Sequence, residues 1–232
     1  MKSKNNIFSV VNLFNLLYSV YFNLRYLPFR IGRNIPILIS PKAKIGNLGR
    51  NRLQLPEKVS FGMIRFGLNC SYGIDAHKSF LYVAEGTKLV FRGKAKLSSG
   101  ISIRIDSGEI EIGERAFFNA NCVMRCTNRI SFGDEILVGW NVSFITDDGH
   151  TIIVDGLRKD REKPIVIGDH VWIASDTKIA KGTIIADDCV VAQNSLVNTL
   201  FYEKGSLIGG IPAKVIKHNV SWVKYMKDEK TI

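Results

Sequence analysis

Apolar residues recur at every sixth position in the C-terminal half of the chain, at Ile167, Ile173, Ile179, Ile185, Val191 and Val197. Small or β-branched residues stand four positions after the middle four members of this series, at Thr177, Thr183, Cys189 and Ser195. A period of six matches neither the 3.6-residue period of a helix nor the two-residue period of a strand. It is typical of a parallel β-helix, in which each short strand and its turn use six residues and equivalent positions stack from coil to coil.

The same period is present upstream and is interrupted once. Val83, Leu89, Ala95 and Ile101 are six apart, and a second series begins at Ile112. Between Phe144 and Ile167 the repeat stops for about 20 residues that are rich in charge. A regular solenoid does not require such an excursion, so a long interruption of this kind indicates a functional loop.

The N-terminal segment has a different pattern. Residues 7–24 are uncharged and mostly apolar, and polar residues recur in them at helical spacing, at Asn12, Asn15, Ser19 and Asn23. The spacing predicts a helix with a narrow polar stripe, which Pro28 and Gly32 end. Its length and its asparagines argue against a membrane span. Two alternatives remain: the helix packs on the solenoid or its neighbours, or it lies in a membrane interface with Lys2, Lys4, Arg25, Arg30 and Arg33 toward the lipid headgroups.

The composition narrows the classes of partner. The chain has 232 residues, of which 46% are hydrophobic, and a net charge of +11. Residues 1–56 contain nine Lys or Arg and no Asp or Glu. No nucleic-acid-binding motif accompanies this charge, so we predict no nucleic-acid partner and favour an anionic membrane surface or a phosphorylated ligand. The four cysteines are scattered without a metal-binding pattern, which predicts free thiols in the cytoplasm, no disulfide and no metal.

These patterns divide the chain into three parts. Residues 1–34 are predicted to form the basic, apolar helical segment. Residues 35–199 are predicted to form the β-helix, with an inserted loop at 145–166. Residues 200–232 are predicted to form a tight turn and a short helix over 219–229, in which Trp222 and Tyr225 pack inward. The predicted fold class is therefore all-β with a helix at each end.

Three short segments carry a resemblance to a known family. Gly168-Asp-His-Val-Trp-Ile173, Lys181-Gly-Thr-Ile184 and Gly210-Ile-Pro-Ala-Lys-Val-Ile216 closely resemble the hexapeptide-repeat acyltransferases, in particular those that O-acetylate sugars and polysaccharides. The resemblance implies a left-handed β-helix, a homotrimer and acetyl-CoA as co-substrate. The implied acceptor is a saccharide or glycan intermediate of the capsule, lipopolysaccharide or exopolysaccharide type. An N-acetyltransferase of nucleotide-linked amino sugars, a small-molecule acetyltransferase and a non-catalytic scaffold remain alternatives.

Direct acetyl transfer needs a base that removes the acceptor's proton, and histidine has the matching pKa. His150 follows Gly149 at the head of the inserted loop, where the resemblance implies the catalytic histidine. Asp148 is expected to orient His150. His170, in the Gly-Asp-His-Val-Trp turn, is interpreted as a surface turn residue.

The resemblance also implies the residues that hold the substrates. Asn141 and Trp172 are expected to contact substrate. Ala174, Ser175 and Ala192 are expected to line a groove for coenzyme A in which small residues let the backbone come close. Lys214, with Lys181 behind it, is the candidate for the phosphates, because a lysine ammonium suits a phosphate as a point charge.

Overall fold

The computed structural model describes residues 13–68 and 76–223, and three parallel sheets dominate it. Strands are numbered in chain order. Sheet A contains, in spatial order, β1 (Ile37–Ile39), β4 (Ile64–Phe66), β7 (Ala95–Leu97), β10 (Ala116–Phe118), β13 (Leu137–Val138), β18 (Trp172–Ile173), β21 (Val190–Val191), β24 (Leu207–Gly210) and β25 (Ala213–Lys217).

The other two sheets have seven strands each. Sheet B contains β2 (Lys44–Leu48), β5 (Phe80–Val83), β8 (Ser102–Ile105), β11 (Val123–Cys126), β14 (Ser143–Ile145), β19 (Lys178–Ala180) and β22 (Leu196–Val197). Sheet C contains β3 (Leu53–Gln54), β6 (Lys88–Phe91), β9 (Glu109–Ile112), β12 (Arg129–Phe132), β17 (Ile165–Ile167), β20 (Ile184–Ile185) and β23 (Leu200–Phe201). Successive strands pass from A to B to C, which is the triangular coil of a left-handed β-helix and confirms the predicted fold class.

The six-residue series fills the interior of this prism. All six members from Ile167 to Val197 are buried, because each points inward from its strand and stacks on the equivalent residue of the next coil. In the middle coils three inward aromatic rings, one from each sheet, meet edge to face across the interior: the Phe118 and Phe132 ring centroids are 5.0 Å apart, and those of Phe132 and Phe144 are 4.8 Å apart. The small residues of the second series are buried at the corners, as predicted.

The corners repeat a left-handed backbone conformation. At the corner between sheets A and B, Asn121, Asn141, Asp176 and Asn194 have positive φ angles, and at the corner between sheets C and A the same holds for Arg115, Glu135, His170 and Asp188. Asn and Asp tolerate this conformation better than other L-residues. His170 therefore belongs to a column of turn residues, and its Nδ1 lies 2.9 Å from the Asp188 carboxylate.

The N-terminal helix α1 (Leu13–Tyr26) covers the first coil with its polar stripe. Ser19 and Asn23 are fully buried, and they hydrogen-bond the outward backbone groups of Ile37 and Ile39 in β1. Because strands of a β-helix hydrogen-bond along the solenoid axis, α1 lies across the end of the prism. A short second helix, α2 (Phe29–Gly32), follows it. Neither helix in the described ranges is long and apolar enough to span a membrane.

The C-terminal part differs from the prediction. The solenoid does not end at Thr199, because β23 and β24 continue sheets C and A. Strand β25 then returns antiparallel to β24 after a cis peptide bond at Pro212, where a turn alone was expected. Residues 219–223 are not helical; instead the Trp222 ring stacks on His170 with centroids 4.3 Å apart. The rest of the predicted helix, with Tyr225, lies outside the described residues.

Candidate active site

The inserted loop leaves the solenoid at the end of β14 and rejoins it at β17. Its base is closed by backbone contacts: the Lys163 amide donates to the Thr146 carbonyl over 3.0 Å, and the Asp148 amide donates to the Arg161 carbonyl over 3.1 Å. Beyond this base, β15 (Ile153–Val154) and β16 (Leu157–Arg158) form a short hairpin whose residues are all exposed. The loop is therefore a folded projection with a defined root.

Asp147 shapes the turn that presents His150. Its Oδ1 accepts a hydrogen bond from the Gly149 amide over 2.7 Å, and Gly149 has a φ of +75°, a conformation that favours glycine. The carboxylate is buried, and Oδ2 lies 3.5 Å from the Arg125 guanidinium. The His150 side chain is exposed and makes no hydrogen bond to any residue within the described ranges, so it is accessible to a substrate hydroxyl.

Asp148 and Lys181 contact each other, whereas Asp148 was expected to orient His150 and Lys181 to face the phosphates of coenzyme A. The Lys181 ammonium lies 2.5 Å from the Asp148 carboxylate and also donates to the Asp160 carbonyl. The structure therefore does not bring Asp148 to His150, and it engages Lys181 with the loop. Lys181 follows β19 at the corner between sheets B and C, so this contact ties the loop to that corner.

Three of the predicted substrate residues lie together elsewhere. Trp172, Ala174 and Ser175 line a groove of about 270 Å³ on sheet A, at its corner with sheet B. Gln193 lines the same groove from the next coil, and it was not selected from the sequence. Because Gln193 is the residue equivalent to Ser175 one coil further along, the repeat itself could have identified it. The Ser175 hydroxyl accepts a hydrogen bond from the Trp140 amide over 3.2 Å, which fixes the groove's floor.

The remaining candidates border this groove. Asn141 is exposed in the same corner column, and its Nδ2 donates to the Asp176 carboxylate over 3.0 Å. Ala192 precedes Gln193, and its amide donates to Ile208 over 2.7 Å. Lys214 is exposed on β25, opposite Gly209 in β24. Lys214 therefore lies on the last strand of the sheet that carries the groove.

The groove and His150 belong to different corners of one chain. The groove is at the corner of sheets A and B, whereas the loop is tied to the corner of sheets B and C. The three residues of β14 separate them, a span of about 10 Å at the usual rise per strand residue. One solenoid by itself therefore presents the loop with His150 at one edge and the groove at another.

Neither a metal site nor a reactive thiol is apparent in this region. Among the residues described, no group of three His, Cys, Asp or Glu side chains is placed to hold a metal ion. Burial raises the pKa of the Cys122 thiol to about 12 and that of Cys126 to about 11, so neither is a thiolate nucleophile at neutral pH.

Comparison with known proteins agrees with this architecture. Residues 164–199 match the bacterial transferase hexapeptide (six repeats) family. The chain is 32% identical over 199 residues to an uncharacterised 24.8 kDa protein in the cps region of Klebsiella pneumoniae, covering 85% of this chain and 86% of that protein. It is 29% identical over 134 residues to the putative lipopolysaccharide biosynthesis O-acetyl transferase WbbJ of Escherichia coli, covering 52% and 67% of the two chains.

One solved structure is also similar. It is a hexapeptide-repeat acetyltransferase from Vibrio cholerae in complex with acetyl coenzyme A. The sequence identity is 30%, the match covers 56% of this chain and 70% of that one, and the TM-score is 0.47.

Proposed function

The chain belongs to the bacterial hexapeptide-repeat acyltransferases, and on that premise we propose that it transfers the acetyl group of acetyl-CoA to a hydroxyl of a saccharide or glycan intermediate. The observation that carries the proposal is the groove on sheet A, where the small residues Ala174 and Ser175 let an extended pantetheine approach the coil backbone. Similarity to WbbJ, which is named an O-acetyl transferase of lipopolysaccharide biosynthesis, supports the acceptor class.

In this mechanism His150 acts as the general base. Its neutral imidazole removes the proton of the acceptor hydroxyl while the hydroxyl oxygen attacks the thioester carbonyl carbon. A tetrahedral intermediate forms and collapses; the carbon–sulfur bond breaks, and the thiolate of coenzyme A leaves and takes up a proton. Holding the acceptor and the thioester in one groove supplies much of the remaining acceleration. No acyl-enzyme is required.

We propose that the active unit is a homotrimer in which His150 of one subunit meets the groove of the next. Two observations support this. The loop and the groove of one chain lie at different corners, so a neighbouring solenoid is needed to bring them together. The hairpin also exposes apolar side chains, at Ile152, Ile153, Val154 and Leu157, that a neighbour would cover.

Subunit complementation tests the shared site. His150→Ala removes the base, and Ala174→Arg blocks the groove; each variant alone should be inactive. After the two are unfolded and refolded together, random assembly should restore about a quarter of the sites, those that combine an intact loop with an intact groove. Each variant refolded alone is the control, and light scattering reports the trimer. A mixture that stays inactive while its subunits exchange would place the whole site within one chain.

The reaction itself is tested with acetyl-CoA and a panel of neutral and acidic oligosaccharides. Thiol release and the mass of the product report transfer, and treatment with mild base separates an O-acetyl ester from an N-acetyl amide. His150→Ala should lower kcat by roughly 10² to 10⁴ without a change in acetyl-CoA affinity. His170→Ala is the matched control. If His170→Ala lost transfer while His150→Ala kept full activity, the general base would be His170 and the assignment to His150 would be wrong.

We also propose peripheral contact with an anionic membrane surface through residues 1–33. Within the described part of this segment, α1 turns its polar stripe to the solenoid and exposes its apolar residues on the opposite face: Leu13 72%, Phe14 67%, Leu17 59%, Tyr21 57% and Leu24 39%. Arg25, Arg30 and Arg33 are exposed beside this face, and residues 13–56 contain no carboxylate side chain. An apolar face flanked by cations is the pattern of an interfacial helix.

Flotation with liposomes tests this contact. The protein should float with vesicles that contain phosphatidylglycerol, less so at high salt, and Leu17→Glu should abolish flotation. Leu200→Glu, at an exposed site (47%, against 59% for Leu17) at the other end of the solenoid, is the control. If Leu17→Glu floats like the wild type, α1 is not the membrane contact. If light scattering shows hexamers that Leu17→Glu dissolves, the face joins two trimers instead.

A further inference from the structure

A second cleft lies on sheet A, on the N-terminal side of the groove. It has a volume of about 520 Å³, and four cationic side chains line it: Arg65, Lys94, Lys96 and Arg115. Phe61 and Phe117 contribute aromatic surface to it, and Phe117 also lines the groove that contains Trp172. The cleft and the groove are therefore two parts of one surface.

The strand register places the key side chains of this surface in one column. Arg65, Lys96, Phe117, Leu137 and Trp172 are successive partners across five neighbouring strands, and each is the outward residue of its strand. Neighbouring strands are about 4.8 Å apart, so Lys96 is about 14 Å and Arg65 about 19 Å from Trp172 along the column. The surface thus changes from apolar at the groove to cationic over the length of a short oligosaccharide.

The charges of this cleft are arranged differently from those on the other two sheets. On sheet C the facing charges alternate in sign: Lys88 is paired in register with Glu109, and Glu109 with Arg129. On sheet B, Arg104 and Arg125 are neighbours, but each has a carboxylate, Asp106 and Asp147 respectively. On sheet A, Arg65 and Lys96 are direct neighbours, and none of the described residues that line the cleft carries a carboxylate.

Like charges directly opposite each other in a sheet are destabilising, and a bound anion would relieve that repulsion. Of the four cations, Arg115 is paired with Glu135, and the Lys96 ammonium lies 4.9 Å from the centre of the Phe117 ring. Arg65 and Lys94 form no ion pair within 13–68 and 76–223. They are the two cations that a ligand would meet unneutralised.

We propose that this cleft binds an anionic group of the acceptor, and hence that the acceptor is an acidic saccharide bearing a carboxylate or a phosphate. The inference rests on the proposed function for identifying the ligand as the acceptor. The sugar to be acetylated lies in the groove beside Trp172, and the remainder of the saccharide extends along Leu137 and Phe117. Its anionic group is held by Arg65 and Lys94, with Lys96 at the cleft wall.

Binding measured by calorimetry on the trimeric protein tests the cleft separately from catalysis. The probes are a tetrasaccharide containing glucuronic acid, glucose 1-phosphate, maltotetraose as the neutral ligand, and acetyl-CoA. The variant is Arg65→Gln with Lys94→Gln, and the control is Lys42→Gln with Lys88→Gln, two exposed lysines on other parts of the surface. The first two probes distinguish a carboxylate from a phosphate as the preferred group.

The cleft variant should bind at least one anionic probe about tenfold more weakly than the wild type, with a loss that shrinks as salt is raised. The control should bind it normally, and neither variant should change acetyl-CoA binding. Equal binding of maltotetraose and the anionic probes by the wild type would overturn the proposal. So would a loss of acetyl-CoA affinity in the cleft variant, because the cleft would then serve the donor. Thiol release by the wild type, measured in parallel, shows whether the proposed transferase activity itself stands.

Discussion

Replacement of Asn23 by alanine should destabilise the first coil of the solenoid. The Asn23 side-chain amide donates to the Ile37 carbonyl over 2.7 Å and to the Ser19 carbonyl over 2.7 Å, and its oxygen accepts from the Ile37 amide over 3.1 Å. The residue is fully buried. Asn23→Ala removes all three hydrogen bonds and leaves the N–H and C=O of Ile37 buried without partners.

The size of the effect follows from those two backbone groups. A buried donor or acceptor left without a partner costs about 1 to 3 kcal/mol, so two of them give an expected loss of about 2 to 6 kcal/mol. The adjacent Ser19–Ile39 hydrogen bond, at 3.0 Å, is retained and keeps α1 attached at one point. Asn34→Ala is the matched control, because the Asn34 side chain is exposed and donates one hydrogen bond, to the Arg30 carbonyl over 3.3 Å; the expected effect on stability is under about 0.5 kcal/mol.

Two measurements together check this prediction. Urea unfolding reports the global free energy, and hydrogen exchange reports the protection of the Ile37 and Ile39 amides. Because contacts in a solenoid are made between neighbouring coils, the loss can appear as local opening of β1 rather than in the global transition. If Asn23→Ala leaves both the unfolding free energy and the protection of Ile37 unchanged, the Asn23 contacts do not hold α1 on the solenoid.

Three further predictions concern the loop, the thiols and pH. Lys181→Met should lower kcat about tenfold by loosening the loop that carries His150, with acetyl-CoA affinity unchanged; a loss of that affinity alone would restore the phosphate-binding role expected for Lys181. Iodoacetamide should modify Cys122 and Cys126 in the urea-unfolded protein but not in the native one, as read by peptide mass spectrometry, since burial raises both thiol pKa values. The Lys204 ammonium, 2.7 Å from Asp187, lowers the pKa of that carboxyl. The Lys204–Asp187 ion pair therefore stabilises the protein above about pH 4, and this stabilisation is lost as the pH falls through the lowered pKa of Asp187. The difference in Tm between wild type and Lys204→Met should accordingly vanish in acid.

The solenoid could be predicted because its tertiary contacts are encoded locally. Ile173, Ile179 and Ile185 are the inward residues of three successive strands, one on each sheet, and Ile173 stacks on Val191 of the next coil. The six-residue spacing along the chain therefore also specifies which residues pack together. The same reasoning placed Thr177 and Ser195 at buried corners. It failed after Thr199, where the antiparallel return of β25 depends on contacts that no repeat specifies.

The candidate site was only partly predictable for a related reason. Trp172, Ala174 and Ser175 lie within one coil, so the repeat brings them to one groove. Asp148 and Lys181 are on different coils, and only the path of the loop decides that they meet. Their pairing leaves His150 to be positioned by Asp147 through Gly149, a contact between residues two apart.

The N-terminal helix departs from the six-residue period, and the interpretation of its polar stripe needs the structure. A polar stripe on an apolar helix is equally compatible with a water-facing stripe and with a buried one. Here the N-terminal edge of sheet A decides between the two, because Ile37 and Ile39 in β1 present N–H and C=O groups that only a polar partner can satisfy. Ser19 and Asn23 therefore turn inward, and Leu17 and Tyr21 must turn outward on the same helix. The same orientation of α1 both caps the solenoid and exposes an apolar face. Packing of the helix on the solenoid and its contact with a membrane interface, the two alternatives left open by the sequence, are therefore compatible with each other.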